Sequence, residues 1–144
     1  MRLLVVVFVL FLLPLYSSQF CLSCLFGNWQ ATAVIGRLLC NGEPAKDDVE
    51  VKLYDEEIFS DAELAKRGVG YSGYFRIKGK KFEVSSIEPY VSIYHKCNYA
   101  GPCYKELSFV IPSEFISIGT LPKKTYDLGT IDLAGYKDQS TVCL

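Results

Sequence analysis

The stretch YVSIYHKC, residues 90–97, holds the chain's one histidine, His95, two residues before Cys97. Cys103 follows six residues later. A histidine beside cysteines has three chemistries open to it: metal ligation, general-base catalysis, and a structural hydrogen bond near a disulfide. Zinc needs about four ligands, and no second histidine exists to join His95. The one Cys-x-x-Cys, Cys21 to Cys24, sits close behind the N-terminal apolar run, where it is exposed to removal by cleavage. No G-x-S-x-G elbow is present: the nearest string, GYSG at residues 70–73, is one residue short and reads as a turn. We therefore expect no metal, no cofactor and no catalytic cluster. His95 is read as a half-buried structural residue hydrogen-bonded near a disulfide.

The basic residues are the second chemistry to weigh. Arg76, Lys78, Lys80 and Lys81 cluster in one short stretch, and Lys123 and Lys124 form a smaller pair. Most such charges are simply solvated, but clustered charge of one sign raises the local potential and attracts an anionic partner. The four are candidate contacts to an anionic lipid surface or an acidic extracellular protein. The acidic string YDEEIFSDAE, residues 54–63, is the feature that would cancel their field if it folded beside them. Nucleic acid is not expected, because the 144-residue chain carries 15 basic and 16 acidic residues and a net charge of −1.

The N-terminus, which bears on compartment, reads MRLLVVVFVLFLLPLYSSQF. Arg2 precedes an unbroken apolar run from Leu3 to Leu13, Pro14 ends it, and Ser17 and Ser18 follow. That is the layout of a secretory signal peptide, too short to span a bilayer. We take residues 1–18 as the signal peptide, with cleavage as late as Gly27 also compatible because the sequence stays apolar to that point. No later apolar run of membrane-spanning length, retention tail or apolar C-terminal anchor signal is seen. A secreted, extracellular chain is expected to oxidise its cysteines in pairs. The six cysteines are Cys21, Cys24, Cys40, Cys97, Cys103 and Cys143. No Asn-x-Ser/Thr sequon occurs.

The elements that must position these groups are strands. VEVKLYD, residues 49–55, alternates strictly, with Val49, Val51 and Leu53 on one face. In residues 74–78 Phe75 and Ile77 face a core while Tyr74, Arg76 and Lys78 face water, and Gly79-Lys80 reads as the turn of a hairpin that resumes at Phe82 and Val84. That arrangement puts Lys80 and Lys81 at a tip. Pro89 opens the next strand, on which Val91, Ile93, His95 and Cys97 share the inward face. Leu107, Phe109 and Ile111 continue the alternation, and residues 114–119 and 125–135 close the series. Ser60 with Glu63 forms a capping box and Gly68 a stop, so residues 60–68 are expected to form a helix of about two turns. About seven or eight short strands with one short helix predict a single all-β domain over residues 28–143, an antiparallel β-sandwich of transthyretin or immunoglobulin type.

Three strings point to a family. VIGRLLCNGEPAKDDVEVKLYD, GYFRIKG and IEPYVSIYHKCN occur in this order, followed by a cysteine about six residues on, an Ile-Pro and a C-terminal cysteine. Together they resemble the transthyretin-like family of secreted nematode proteins. The G-x-L-x-C-x-G-x-P-A string, Gly36 to Ala45, and the Pro-Tyr…His-x-Cys string, Pro89 to Cys97, carry the specificity. The resemblance implies a transthyretin-type sandwich and an extracellular binding role, with no ligand named. Cys40, Cys97, Cys103 and Cys143 match the family's cysteine positions. Three connectivities are open to four cysteines, and sequence does not choose among them. Cys40–Cys97 with Cys103–Cys143 is the working pairing, since Cys40 and Cys97 each end a strand.

The family's related hydrolase of urate breakdown uses several histidines and a C-terminal Tyr-Arg-Gly-Ser tail. This chain has one histidine and reads DQSTVCL at that place. The expected function is therefore a secreted binding or signalling module without catalytic activity. Its expected partner is an extracellular protein, cell-surface or lipid partner whose identity the sequence does not name. A hydrolase of that related kind and an extracellular structural component are the alternatives.

Overall fold

The computed structural model describes residues 26–143. The signal peptide expected over residues 1–18, Cys21 and Cys24 all lie outside the described residues. Ten strands form among those described: β1 (Asn28–Cys40), β2 (Glu43–Pro44), β3 (Glu50–Asp55), β4 (Ala62–Gly68), β5 (Tyr74–Glu83), β6 (Pro89–His95), β7 (Tyr104–Val110), β8 (Ser117–Ile118), β9 (Tyr126–Asp132) and β10 (Ser140–Val142). A single 3-10 turn, Ser113–Phe115, is the helical element between them.

Two sheets face each other. In the first, β1 is the spine: β5 pairs along it from Asn28–Glu83 to Arg37–Tyr74, while β8, β9 and β2 pair with it in short stretches. The second has the order β10-β7-β6-β3-β4. The core lies between them and is built from Val34, Leu38, Phe75 and Ile77 of the first sheet and Val51, Leu53, Val91, Ile93 and Leu107 of the second. These are the alternating apolar positions of each strand, as a half-buried sheet requires. Complete burial of side chains of this size supplies roughly 1.5–3 kcal/mol each.

Two expectations are corrected. Residues 60–68 do not form a helix. Ala62–Gly68 is strand β4, paired antiparallel with β3. Pairing with β3 supplies ladder bonds along one side of the segment from Ala62 to Gly68, whereas the capping box offers a couple of local bonds to a helix too short to stand alone. Asp61, next to the expected cap, instead accepts the Glu57 N–H at 3.0 Å and the Tyr90 hydroxyl at 2.5 Å. The register slips at Leu64, which is left over as a bulge.

Gly79-Lys80 is likewise not a turn, because β5 runs straight through it. Gly79 serves close approach: a Cβ there would lie 2.7 Å from the Leu64 Cβ and 2.9 Å from Leu53 Cδ2. The bulge and the glycine thus answer one another where β4 crosses β5. Finally, β9 runs parallel to β1, in a sandwich that is otherwise antiparallel. Alternation along a strand assigns its faces but carries no information about the direction of its neighbour.

Candidate functional site

His95 ends β6 on the core face beside Val91 and Ile93 and is completely buried, at 0% exposure. Its Nδ1 accepts the Cys97 N–H at 3.2 Å, which places the ring proton on Nε2; that atom has no hydrogen-bond partner among the described residues. Burial pulls the imidazole below its ordinary pKa, the nearby Gln139 amide opposes the shift, and the Lys105 ammonium adds to it. A neutral, sealed imidazole with its lone pair already taken presents no free base to solvent. Ser72 of GYSG lies in the turn between β4 and β5, where its carbonyl accepts from Arg37 Nε at 3.1 Å.

Cys97 is bonded to Cys40, and Cys103 to Cys143. The first bridge ties the end of β1 to the second residue past the end of β6, linking the two sheets across a Cα–Cα distance of 5.7 Å. The second pins β10, the edge strand, to the start of β7. Asn41 and Asn98, each following a bridged cysteine, have positive φ of 54° and 52° and exchange reciprocal amide bonds at 2.8 and 3.0 Å. Asp132 gathers the backbone N–H groups of Ala134, Gly42 and Asn41, and those bonds hold its carboxyl below the usual range. In the Gly36–Ala45 string, a Cβ on Gly36 would lie 2.8 Å from the Phe75 ring, and Gly42 takes a φ of +82°. Cys40 to Ala45 of one string and His95 to Cys97 of the other are thus architectural at this end of the molecule.

The four basic candidates do not form one tip. β5 alternation puts Arg76, Lys78 and Lys80 on the outer face and turns Lys81 the other way. Lys81 Nζ reaches Asp55 at 2.8 Å, Glu83 at 2.7 Å and Glu57. Burial works against its charge, and the hydrogen bonds it donates to the three carboxylates overcome this and raise its pKa. Asp55, at 1% exposure, also accepts the Glu88 N–H at 2.6 Å. The acidic string has thus folded onto Lys81 and neutralised it. Those three carboxylates lie close enough together to suit a cation, but the ammonium already stands among them. Lys80 lies over the Trp29 ring, 5.1 Å from its centre.

Arg76 and Lys78 meet basic residues the sequence reading placed in a helix. They line an open groove of about 400 Å³ together with Lys66, Arg67 and Ala65 of β4, at the seam where the edges of the two sheets meet. Lys66 is held by Glu50 at 2.9 Å. Arg67, Arg76 and Lys78 have no carboxylate partner among the described residues. The sequence signal for Arg67 was its place two residues past Ala65 in a strand, legible only once that segment is read as β. The tyrosines of the second sheet's outer face are occupied with one another: Tyr54 stacks on Tyr90 at 5.2 Å, and its hydroxyl lies 3.5 Å from that of Tyr94.

Such a molecule is a two-sheet β-sandwich tied by two disulfides, with its histidine built into the core and Arg67, Arg76 and Lys78 brought together at the sheet seam. It belongs to the transthyretin-like family, whose sequence pattern matches residues 35–112. Transthyretin-like protein 5 of Caenorhabditis elegans is 39% identical over 130 residues, covering 88% of this chain and 91% of that protein. Transthyretin-like protein 2 of the same organism is 35% identical over 127 residues, covering 82% and 85%. Among solved structures, a 9R-lipoxygenase from Cyanothece overlays 81% of this chain on 18% of its own length, at 18% identity and a TM-score of 0.40, a likeness that carries no argument. No helix among the described residues is long and apolar enough to cross a membrane.

Proposed function

We propose that this chain is a secreted extracellular binding module without catalytic activity, and that it recognises an anionic partner through the β4–β5 seam. The domain is residues 28–143, exported by the signal peptide at residues 1–18. The observation that supports the reading is the convergence of Arg67, Arg76 and Lys78 on one groove without carboxylates of their own. Two guanidinium groups flanking a groove suit phosphate, sulfate and carboxylate, which they bind in bidentate fashion. In this reading Arg76 and Lys78 contact the anionic partner. Lys80 flanks the site, and Lys81 leaves it for the Asp55 cluster.

The test takes protein collected from the medium of a secreting host. Retention on immobilised heparin and flotation with phosphatidylcholine vesicles, with and without phosphatidylglycerol, are measured at low and physiological salt. Binding to either polyanion that weakens as salt rises supports the reading, and the two supports separate a lipid from a soluble polyanion. Failure to appear in the medium, or no binding to either even at low salt, overturns it.

A further inference from the structure

The end of the sandwich away from the Cys40–Cys97 bridge carries most of the exposed apolar surface. β3 and β7 finish at this end, and β4 and β6 begin there. The loop between β3 and β4 holds Ile58 and Phe59 at 95% and 98% exposure, and Val84 and Val110 stand open nearby. The loop is braced. The Glu56 N–H donates to the Glu88 carbonyl at 3.1 Å, the Glu57 N–H to Asp61 at 3.0 Å, Tyr90 holds Asp61, and Lys81 holds Glu57. Two adjacent large apolar side chains on a braced loop are a presented surface, not a frayed end.

Two depressions run together beside it, sharing Glu56, Ser86 and Glu88. One, of about 420 Å³, is walled by Ile58, Phe59 and Glu83. The other, of about 610 Å³, has an apolar floor that includes Pro89, Val110, Ile111 and Ile116. No lysine or arginine lines either one. Lys81 pairs with Glu57 and Glu83 as well as Asp55, whereas Glu56 and Glu88 have no cationic partner among the described residues. An apolar floor rimmed by unpaired carboxylates repels an anionic membrane and selects an apolar chain bearing positive charge.

We propose that this end docks an extended segment of a partner protein in which Lys or Arg alternates with Leu or Phe. The apolar side chains seat between Ile58, Phe59 and the floor at Val110 and Ile116, and the cations meet Glu56 and Glu88. This surface is separate from the basic seam, and each stands or falls without the other.

The probe is a blocked peptide of alternating Lys and Leu or Phe, titrated into the isotope-labelled secreted protein and followed by amide chemical shifts. Shifts confined to residues 56–61, 83–88 and 110–116 are expected. Ile58→Ser with Phe59→Ser should weaken binding about ten-fold or more, as loss of central apolar anchors does. Glu56→Gln with Glu88→Gln should weaken it in a salt-dependent way. A peptide with Glu in place of Lys should not bind. Arg67→Ser, Arg76→Ser and Lys78→Ser together should leave the affinity as it was. The substituted side chains are exposed and make no ion pair among the described residues, so the fold survives. Equal binding of the Glu peptide, shifts mapping elsewhere or an unaffected Ile58/Phe59 variant overturns the proposal. A dimer in sedimentation that this variant dissolves reassigns the surface to a second copy, and its loss of flotation with phosphatidylcholine vesicles reassigns it to lipid; either result also overturns the partner-segment proposal.

Discussion

Replacing Lys81 with alanine strands Asp55, a carboxylate at 1% exposure, in the mouth of the sandwich. Removing one partner of a buried pair typically costs about 3–5 kcal/mol, because the remaining charge loses its compensation. Two features move the expectation to the low end. The Lys81 side chain is itself 21% exposed, and Asp55 keeps the Glu88 N–H at 2.6 Å. We expect Lys81→Ala to lose about 3 kcal/mol, a fall in Tm on the order of 10 °C for a domain of this size. Asp55→Asn added to that background removes the stranded charge while retaining an acceptor for Glu88, and should recover about 1 kcal/mol or more. Lys80→Ala, which loses only a cation–π contact, should stay within about 1 kcal/mol of wild type. The pH dependence has a definite sign. Lys81 has its folded-state pKa raised above the ordinary 10.5, so its contribution is complete below that value and is lost as pH climbs beyond it. The assay is urea unfolding of the disulfide-intact protein across the set. A Lys81→Ala loss below about 1 kcal/mol, or no recovery on adding Asp55→Asn, would refute the assignment of Lys81 to the core cluster.

Other outcomes follow from the same geometry. Removing the Cys40–Cys97 bridge, which spans 57 residues, should cost about 4 kcal/mol on the chain-entropy account, read from denaturant midpoints; non-reduced peptide mapping checks the pairing itself. Gly79→Ala should destabilise by about 1–3 kcal/mol because its Cβ enters Leu64, whereas Gly68→Ala, facing open space, should be nearly neutral; equal effects would restore Gly79 to a turn. Because His95 is buried neutral with a lowered pKa, the unfolded chain takes up its proton first, so stability should fall as pH drops through about 6.5, by up to about 1.4 kcal/mol per pH unit. His95→Gln should flatten that limb between about pH 6.5 and 5, and an unchanged slope would contradict the buried neutral ring.

Much of the sandwich is legible in the sequence because half-buried strands write their faces in alternation. Val51 and Leu53, Phe75 and Ile77, and Val91, Ile93 and His95 all point inward as their spacing requires. Elsewhere local chemistry competes with distant partners. Ser60 and Glu63 mimic a helix cap, but β3 supplies the backbone bonds that decide the segment. Gly79 mimics turn chemistry, while the demand for a glycine comes from Leu64, fifteen residues earlier and in the other sheet. The site was half visible for the same reason. Arg76 and Lys78 could be assigned a solvent face from alternation alone, whereas Arg67 joined them only through the crossing of β4 and β5. Lys81 was one parity step from its neighbours, which was enough to send it to three carboxylates.

The claim that the seam, and no other basic cluster, recognises the anionic partner is tested most directly by one affinity ratio. Vesicles containing phosphatidylglycerol, or heparin where that is the better ligand, are titrated at physiological salt with wild type and with the Arg67→Ser, Arg76→Ser, Lys78→Ser triple variant. Each cation near an anionic surface contributes about 1 kcal/mol, so the triple variant should bind on the order of 100-fold more weakly. Lys123→Ser with Lys124→Ser, which removes two cations away from the groove, should change the affinity far less. Equal binding by the triple variant and wild type, with both folded, would contradict the account.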